Sequence, residues 1–200
     1  MRHKISGRKL QRKSGHRAVV QSAAAGALGR MIVKLAQRLS ITTINIVRRT
    51  EQEELLRGMG AENVLNENAP EIDSTLRDLC HSLGAGIGFD AVAGEMSGRI
   101  LRAQPHGSRL LVYGALSLKP SQVDPTLLIF ERKRVEGFWL SSWLRTKNML
   151  SQLRIARRIQ KLLSTDLSTA VQGRLPLEDF ARGLTKYKHH MTSGKVLLIP

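Results

Sequence analysis

The chain has 200 residues, and its hydrophobic content of 42% is ordinary for a globular core. This length allows one domain with at most an appendage. No apolar run approaches the roughly 18 residues that a transmembrane helix needs, so we expect no membrane contact. The single cysteine, Cys80, excludes an internal disulfide and a cysteine-rich zinc site. We therefore expect no bound metal, and a reducing cytoplasmic location fits.

The net charge of +16 is concentrated at the amino terminus, where residues 1–17 contain seven Lys or Arg and no acid. Besides Met1, the larger apolar side chains of this segment are Ile5 and Leu10. Such a segment cannot bury a core, so we expect a disordered basic tail. It suits contacts with nucleic-acid phosphates, while a solvated tail explains the same charge equally well.

The segment that follows has the pattern of a strand, a turn, a helix and a second strand. Residues 18–21 are a short apolar run, and residues 43–47 are β-branched and apolar. Between them, residues 23–29 read AAAGALG and have almost no side-chain bulk, while apolar residues at helical spacing follow to Leu39. This order predicts the first βαβ unit of a nucleotide-binding sheet.

The turn of this unit resembles the dinucleotide fingerprint G-x-G-x-x-G. Ala24 stands at the place of the first glycine, and Gly26 and Gly29 are the second and third. Gly26 would let the backbone approach a pyrophosphate, and Gly29 would let the helix pack closely on the strand. The N–H groups near Ala27 and Leu28, at the helix start, would face the phosphates. A turn whose small residues serve packing alone is the alternative.

The end of the second predicted strand indicates which dinucleotide would bind. An NAD-binding fold places Asp or Glu about 20 residues after the glycine turn, to hold the ribose 2′-hydroxyl. This chain has Arg48 and Arg49 there. Guanidinium groups bind a 2′-phosphate bidentately, so the sequence favours NADP(H) over NAD. Two solvated arginines at a strand end remain the alternative.

Helices and strands then alternate. A helix is predicted over residues 51–59, with Thr50 as N-cap and Glu53 completing a capping box. The later elements are strand 62–65, helix 71–83 with Cys80 in the core, strand 86–93, helix 96–102, strand 109–113, helix 124–132 and strand 134–140. This alternation predicts an α/β, Rossmann-type doubly wound parallel sheet of about six strands over residues 18–142.

Residues 143–200 form a predicted helix-strand-helix-strand extension. The first helix, 148–163, is amphipathic: Met149, Leu153, Ala156, Ile159 and Leu163 should face inward, and Arg154, Arg157, Arg158 and Lys161 outward. That basic face is either solvated or a nucleic-acid surface. Strand 169–174, helix 177–189 and strand 195–199 follow.

Together these segments resemble the cofactor-binding part of the medium-chain dehydrogenase/reductase superfamily. The zinc-free quinone oxidoreductases and the mitochondrial-type 2-enoyl thioester reductases are the most similar branch. The resemblance covers about 180 residues. Its segments are AAAGALG (23–29), INIVRR (44–49), GAENVL (60–65), FDAVAG (89–94), LLVYGALS (110–117), LIF and VEGFWLSSW (within 128–143), PLED (176–179) and GKVLL (194–198).

The resemblance implies further cofactor contacts beyond the glycine turn and the two arginines. Residues at the carboxyl end of the fifth strand should lie near the nicotinamide. Those at the end of the predicted sixth strand should pack there and offer backbone groups to its carboxamide, unless Phe138 and Trp139 only fill the core. A lysine near the cofactor completes the set. These residues are Tyr113, Gly114, Ala115, Leu116, Phe138, Trp139, Leu140 and Lys195.

The resemblance also implies an oxidoreductase that transfers a hydride from NADPH to an enoyl thioester or a quinone. In that family a substrate domain precedes the position of Ala18 and carries the proton donor, so we expect cofactor binding with little or no turnover and assign no catalytic residue. The last strands would then expose apolar surface. Strand 134–140 lies where this superfamily pairs into dimers, so we expect a homodimer.

Residues 1–17 resemble a different family. The run MRHK, the segment SGRKL at 6–10, and Arg12, Ser14, His16 and Arg17 are similar to the opening of the seventeenth bacterial large-subunit ribosomal protein. In that family the segment contacts ribosomal RNA. The alternative function is therefore nucleic-acid binding through residues 1–17, with an affinity that falls steeply with salt.

Overall fold

The computed structural model describes residues 18–163, 171–189 and 194–199. The predicted basic tail, residues 1–17, lies outside this range, so its disorder and its RNA contact stay predictions. Within the described ranges, no helix has the length and hydropathy needed to span a bilayer.

The main sheet has six strands, all parallel, in the order β3-β2-β1-β4-β5-β6. All four residues of the central β1 are buried, which suits a strand covered on both faces. The order reverses direction between β1 and β4, as in doubly wound folds. The strands are β1 Ala18–Gln21, β2 Thr42–Val47, β3 Asn63–Asn66, β4 Ile87–Asp90, β5 Arg109–Val112 and β6 Arg134–Gly137.

Helices cover both faces of this sheet. They are α1 Ala27–Arg38, α2 Thr50–Gly58, α3 Ile72–Ser82, α4 Glu95–Ala103 and α5 Pro125–Ile129. On β2, Ile44 and Ile46 join the cluster that contains α3 and α4, whereas Val47 joins the cluster that contains α1 and α2. Alternate strand residues point to opposite faces, so the two clusters are the two layers of the core. The predicted fold class is confirmed.

The chain continues into an extension that has the predicted order of helix, strand, helix and strand, preceded by a short helix that was not predicted. Its elements are α6 Leu140–Arg145, α7 Met149–Leu163, β7 Val171–Pro176, a 3₁₀ turn Leu177–Asp179, α8 Phe180–His189 and β8 Lys195–Ile199. β7 and β8 pair in parallel as a separate two-stranded sheet. On β8, Leu197, Leu198 and Ile199 are exposed, as the resemblance implied.

Some local predictions are wrong, beginning with the end of the sixth strand. β6 ends at Gly137 and not at residue 140, because its partner strand β5 ends at Val112. The N–H of Phe138 donates the last hydrogen bond between the two segments, to the Val112 carbonyl at 2.8 Å. Leu140 then begins α6.

The predicted capping box is also absent. Thr50 is the first residue of α2, and Arg49 is its N-cap without a side-chain cap. The Glu53 carboxylate instead accepts a hydrogen bond from the Asn66 side chain at 2.8 Å. It therefore ties α2 to the end of β3.

The apolar side of α7 is not buried as predicted. No residue of α7 is buried in the part of the chain that the structure describes. Met149 is 74% exposed, and Leu153, Ile159 and Leu163 are also exposed. The amphipathic pattern correctly predicts the helix, but amphipathicity alone does not say what covers its apolar side.

Candidate functional site

The candidate site is the edge of the main sheet where its parallel strands end. In open α/β sheets, ligands bind at the carboxyl ends of the strands, where the strand order reverses. Here that point lies between β1 and β4. The predicted residues after β1, β2, β5 and β6 share this edge, whereas Lys195 begins β8 in the other sheet.

The turn after β1 leads into a helix whose start is uncapped. Ala23 adopts the left-handed conformation at φ 48°, and its carbonyl accepts a hydrogen bond from the N–H of Gly26 at 3.0 Å. Gly26 is the N-cap of α1, with no side-chain cap and no acid in the first turn. The N–H groups of Ala27 and Leu28 therefore lack helical partners and lie at the positive end of the helix dipole. Leu28 is exposed beside them.

Gly29 allows α1 to lie directly against the turn. A Cβ at this position would lie 2.4 Å from the carbonyl oxygen of Ala24 and 2.7 Å from its Cα. Ala24 cannot yield easily, because it is fully buried and its N–H donates to the Ile46 carbonyl at 3.1 Å. The close helix packing expected of Gly29 is present. At Gly26, a Cβ would lie 3.2 Å from the Ala23 carbonyl oxygen, which is also tight.

The two arginines after β2 differ in their surroundings, although both are exposed. The backbone of Arg48 is fixed on both sides: its N–H donates to Gln52 at 3.1 Å, and its carbonyl accepts from Asn68 at 2.9 Å. Its side chain is 68% exposed and lies 4.0 Å from the Glu67 carboxylate. Arg49 precedes α2. Both guanidinium groups can therefore reach an anion at this edge.

Glu67, which the sequence analysis missed, sets the local charge balance at Arg48. Burial raises the pKa of Glu67, while the charges of Arg48 and Arg99 partly oppose that shift. The carboxylate therefore competes with any anionic ligand for Arg48. Its position one residue after β3, directly next to the arginines across the sheet, could be predicted only with the strand order in hand.

Asp90 is a second residue that the sequence analysis missed. Its carboxylate is fully buried at the end of β4 and accepts hydrogen bonds from Ser22 at 2.7 Å and from Ser97 at 2.6 Å. It also accepts from the backbone N–H groups of Val92 and Ala93. Ser22 accepts from the Ala91 N–H at 2.9 Å. This network joins the turn after β1 to the turn after β4.

The segment after β5 packs on that second turn. The N–H of Tyr113 donates to the Asp90 carbonyl at 2.9 Å. Burial, with a smaller effect of the Asp90 charge, raises the pKa of Tyr113 to about 12, so its hydroxyl stays protonated. A Cβ on Gly114 would lie 2.8 Å from the Ala91 carbonyl oxygen. Ala115 is exposed and Leu116 is 71% exposed, which leaves both open to a ligand.

The residues after β6 form an exposed aromatic group. Trp139 is 67% exposed, and Phe138 and Leu140 are also exposed, so simple core packing does not explain them. The rings of Phe138 and Trp143 lie 6.2 Å apart, and the Arg145 guanidinium lies 5.9 Å from the Trp139 ring centre. These apolar faces lie at the same edge as the glycine turn.

The described residues do not fit a metal. Among them, no group of three or more His, Cys, Asp or Glu side chains could hold an ion. Cys80 is fully buried in the core, as predicted, and burial raises its pKa to about 12, which disfavours the thiolate that metals bind. We derive no step through a metal, and zinc independence stays a prediction.

Two features define a Rossmann-type domain: the order of the strands, and the uncapped start of α1 at the point between β1 and β4 where that order reverses. Comparison with known families agrees. The model of the family described as zinc-binding dehydrogenase matches residues 27–154. The chain belongs to this family, within the medium-chain dehydrogenase/reductase superfamily.

Similar proteins are reductases of about twice this length. Over 194 residues the chain is 28% identical to mitochondrial enoyl-[acyl-carrier-protein] reductase of Xenopus tropicalis, covering 90% of this chain and 54% of that one. A crystal structure from Mesorhizobium loti, provisionally assigned as an NADPH:quinone reductase, is 32% identical with a TM-score of 0.80. The match covers 96% of this chain and 56% of that one. The chain thus spans about half the length of these relatives.

A third structure, Etr1p in complex with NADP and crotonyl-CoA, shares the fold. It is 21% identical with a TM-score of 0.73, covering 92% of this chain and 54% of that one. None of these comparisons supports a ribosomal role for residues 1–17.

Proposed function

We propose that the chain binds NADP(H) at the carboxyl edge of its main sheet, as the cofactor-binding part of a zinc-independent reductase. The observation that carries this proposal is the uncapped start of α1 with Gly29 against Ala24. A Cβ at position 29 would force α1 away from the turn, and the N–H groups of Ala27 and Leu28 would move with it. A pyrophosphate is the ligand that such a turn accepts best.

Each predicted contact has a role in this proposal. Ala24, Gly26 and Gly29 shape the turn, and the N–H groups of Ala27 and Leu28 bind the pyrophosphate. Arg48 and Arg49 bind the 2′-phosphate. This role explains why two exposed cations stand at the position where an NAD-binding domain has an acidic residue. The remaining contacts surround the nicotinamide, namely Tyr113, Gly114, Ala115, Leu116, Phe138, Trp139 and Leu140. Lys195, which begins β8 in the other sheet, is included on the resemblance alone.

The reaction class follows from the relatives. When bound, NADPH would supply a hydride to an activated C=C bond of an enoyl thioester, or to a quinone. This chain's own residues would hold the dinucleotide and orient its ring, with Tyr113 offering a protonated hydroxyl and the apolar faces of Leu116 and Trp139 excluding water. We assign no proton donor to the described residues.

The edge strand β6 supports a further part of the proposal, a homodimer. Its outer edge carries no neighbouring strand in the described sheet, and Val135 is exposed on it. Pairing with the same strand of a second copy would cover that edge. Sedimentation of the chain at rising concentration should then show a dimer; a monomer at all concentrations would contradict it.

A thermal melt with NADPH, with NADH and with neither tests cofactor binding. A ligand that binds only the folded state stabilises it, by about 2.7 kcal/mol at 100 times its Kd. NADPH should raise the melting temperature more than NADH does. A folded protein that shows no shift with either nucleotide would refute the proposal.

The double variant Arg48→Ala/Arg49→Ala tests the 2′-phosphate contact. It should lower the NADPH shift to the level of the NADH shift, since only NADPH carries that phosphate. The matched control is Arg77→Ala/Arg102→Ala, which removes two exposed arginines from α3 and α4. If NADPH and NADH lose affinity equally in the first variant, these arginines do not discriminate between them.

A further inference from the structure

We propose that Gln21, the last residue of β1, is a positioning residue that holds the start of α1 in place for the pyrophosphate. This role rests on the proposed binding of NADP(H). The Gln21 side chain is fully buried. Its Nε2 group donates to the Gly29 carbonyl in the first turn of α1 at 3.2 Å, and to Asn45 Oδ1 on β2 at 2.8 Å. One amide therefore joins the start of α1 to two strands of the sheet.

The contact with Asn45 continues these hydrogen bonds across the sheet. Gln21 and Asn45 lie directly opposite each other where β1 pairs with β2. The Nδ2 group of Asn45 donates to Thr43 Oγ1 at 2.9 Å and to the Asn63 carbonyl on β3 at 3.1 Å. The start of α1 is thus tied to β2, the strand that ends directly before Arg48. This tie fixes the proposed pyrophosphate site relative to the proposed 2′-phosphate site.

The side-chain oxygen of Gln21 indicates that the amide is not there for stability. Among the described residues, no group donates a hydrogen bond to this buried Oε1 atom. A buried acceptor without a partner costs free energy, which an apolar side chain of similar shape would avoid. The opposite orientation of the amide is worse, because its oxygen would then face the oxygens of Gly29 and Asn45. What the amide contributes is a donor directed at Gly29.

The start of α1 has a specific need for this donor. A side-chain N-cap would fix the helix start, but it would also occupy the N–H groups that a phosphate needs. The helix has no such cap. Gln21 instead binds a carbonyl of the first turn, which leaves the N–H groups of Ala27 and Leu28 available. Groups that are already held in their binding orientation lose little freedom when the ligand binds.

The test replaces Gln21 with methionine, which keeps the side-chain length and removes the donor. Isothermal titration calorimetry of the full chain measures the affinity for NADPH and for 2′-AMP. NADPH should bind more weakly by on the order of threefold to tenfold, the effect of one hydrogen bond. The affinity for 2′-AMP should stay unchanged, because this nucleotide carries the 2′-phosphate without a pyrophosphate. A role limited to folding would not separate the two ligands in this way.

Gln104→Met is the matched control. Gln104 is also fully buried, its Nε2 group donates to the Ala85 carbonyl at 3.1 Å, and its Oε1 also lacks a donor among the described residues. Ala85 lies shortly before β4, at the opposite edge of the sheet from the glycine turn. Both variants should keep the melting temperature within about 4 °C of the wild type. Only Gln21→Met should weaken NADPH binding.

Three results would overturn the positioning role: unchanged NADPH affinity in Gln21→Met, equal weakening by Gln104→Met, or a parallel loss of NADPH and 2′-AMP. If circular dichroism shows that Gln21→Met does not fold, Asn45→Ser replaces it. Its shorter side chain no longer reaches Gln21 and should weaken NADPH but not 2′-AMP, and unchanged NADPH affinity would again overturn the role. A wild type that binds no NADPH would refute the proposed function and this role with it. A wild type that binds NADPH as tightly as Gln21→Met does would refute this role alone.

Discussion

Replacing Gly29 with alanine would test how closely α1 must approach the turn after β1. The new methyl carbon would lie 2.4 Å from the Ala24 carbonyl oxygen and 2.7 Å from the Ala24 Cα. These are backbone atoms of a fully buried residue, so relief requires α1 to move away from the sheet. Overpacking of this kind typically costs about 1–3 kcal/mol.

The net effect is smaller, because alanine in a helix gains about 0.5–1 kcal/mol over glycine. The difference spans about 0–2.5 kcal/mol, so we expect Gly29→Ala to lower the free energy of unfolding by about 1 kcal/mol. For a chain of this size that corresponds to a fall of about 2–4 °C in melting temperature. Affinity for NADPH should fall as well, since the N–H groups of Ala27 and Leu28 move with the helix.

Gly58→Ala is the matched control, because Gly58 is an exposed helical glycine whose added Cβ would meet nothing within 4 Å. It should be neutral or stabilise by up to about 1 kcal/mol. Urea unfolding of both variants and the wild type gives the comparison. If Gly29→Ala is as stable as Gly58→Ala and binds NADPH normally, the close packing has no role in the turn.

Three further predictions concern ionisable groups, of which Asp90 and Cys80 are buried and Glu67 is partly buried. Asp90→Asn should destabilise the fold by about 2–4 kcal/mol in urea unfolding, because bonds to a charged group are worth about 1.5–3 kcal/mol each; a neutral result would mean that the Ser22 and Ser97 bonds are dispensable. Cys80 should resist thiol reagents in the native protein and react in urea, since burial raises its pKa to about 12; rapid native labelling would contradict its burial. The raised pKa of Glu67 means that its stabilising contribution is present at acid pH and is lost as the pH rises through the folded-state value. Relative to wild type, Glu67→Gln should therefore gain stability between acid and neutral pH, and unfolding curves that stay parallel across that range would refute this.

The sequence predicted the central strands well because they are buried and largely apolar, while the turn after β1 is made of small residues. Ala18–Gln21 matches the predicted range at both ends. The position of Gly29 was predictable because a helix can approach a strand this closely only where no Cβ intervenes. These features depend on local chemistry, which a sequence shows directly.

Features that depend on distant partners were missed. Asp90 binds Ser22, which lies 68 residues away, so the network is invisible until the strand order is known. The end of β6 is set by where β5 stops, and the exposure of α7 depends on what packs over it. Glu67 was missed for the same reason: its partial burial and its nearness to Arg48 arise only in the assembled sheet.

The central place of β1 affects how the protein folds during synthesis. β1 pairs with β2 on one side and with β4 on the other. After Gln21 leaves the ribosome, roughly 65 further residues must be made before Ile87 appears, which takes on the order of 3–13 s at typical rates of translation. During that interval, β1 to β3 can assemble while one side of β1, whose four residues are all buried in the finished sheet, stays unpaired. Chaperones that shield unpaired strand edges would therefore act on this nascent chain chiefly before β4 emerges.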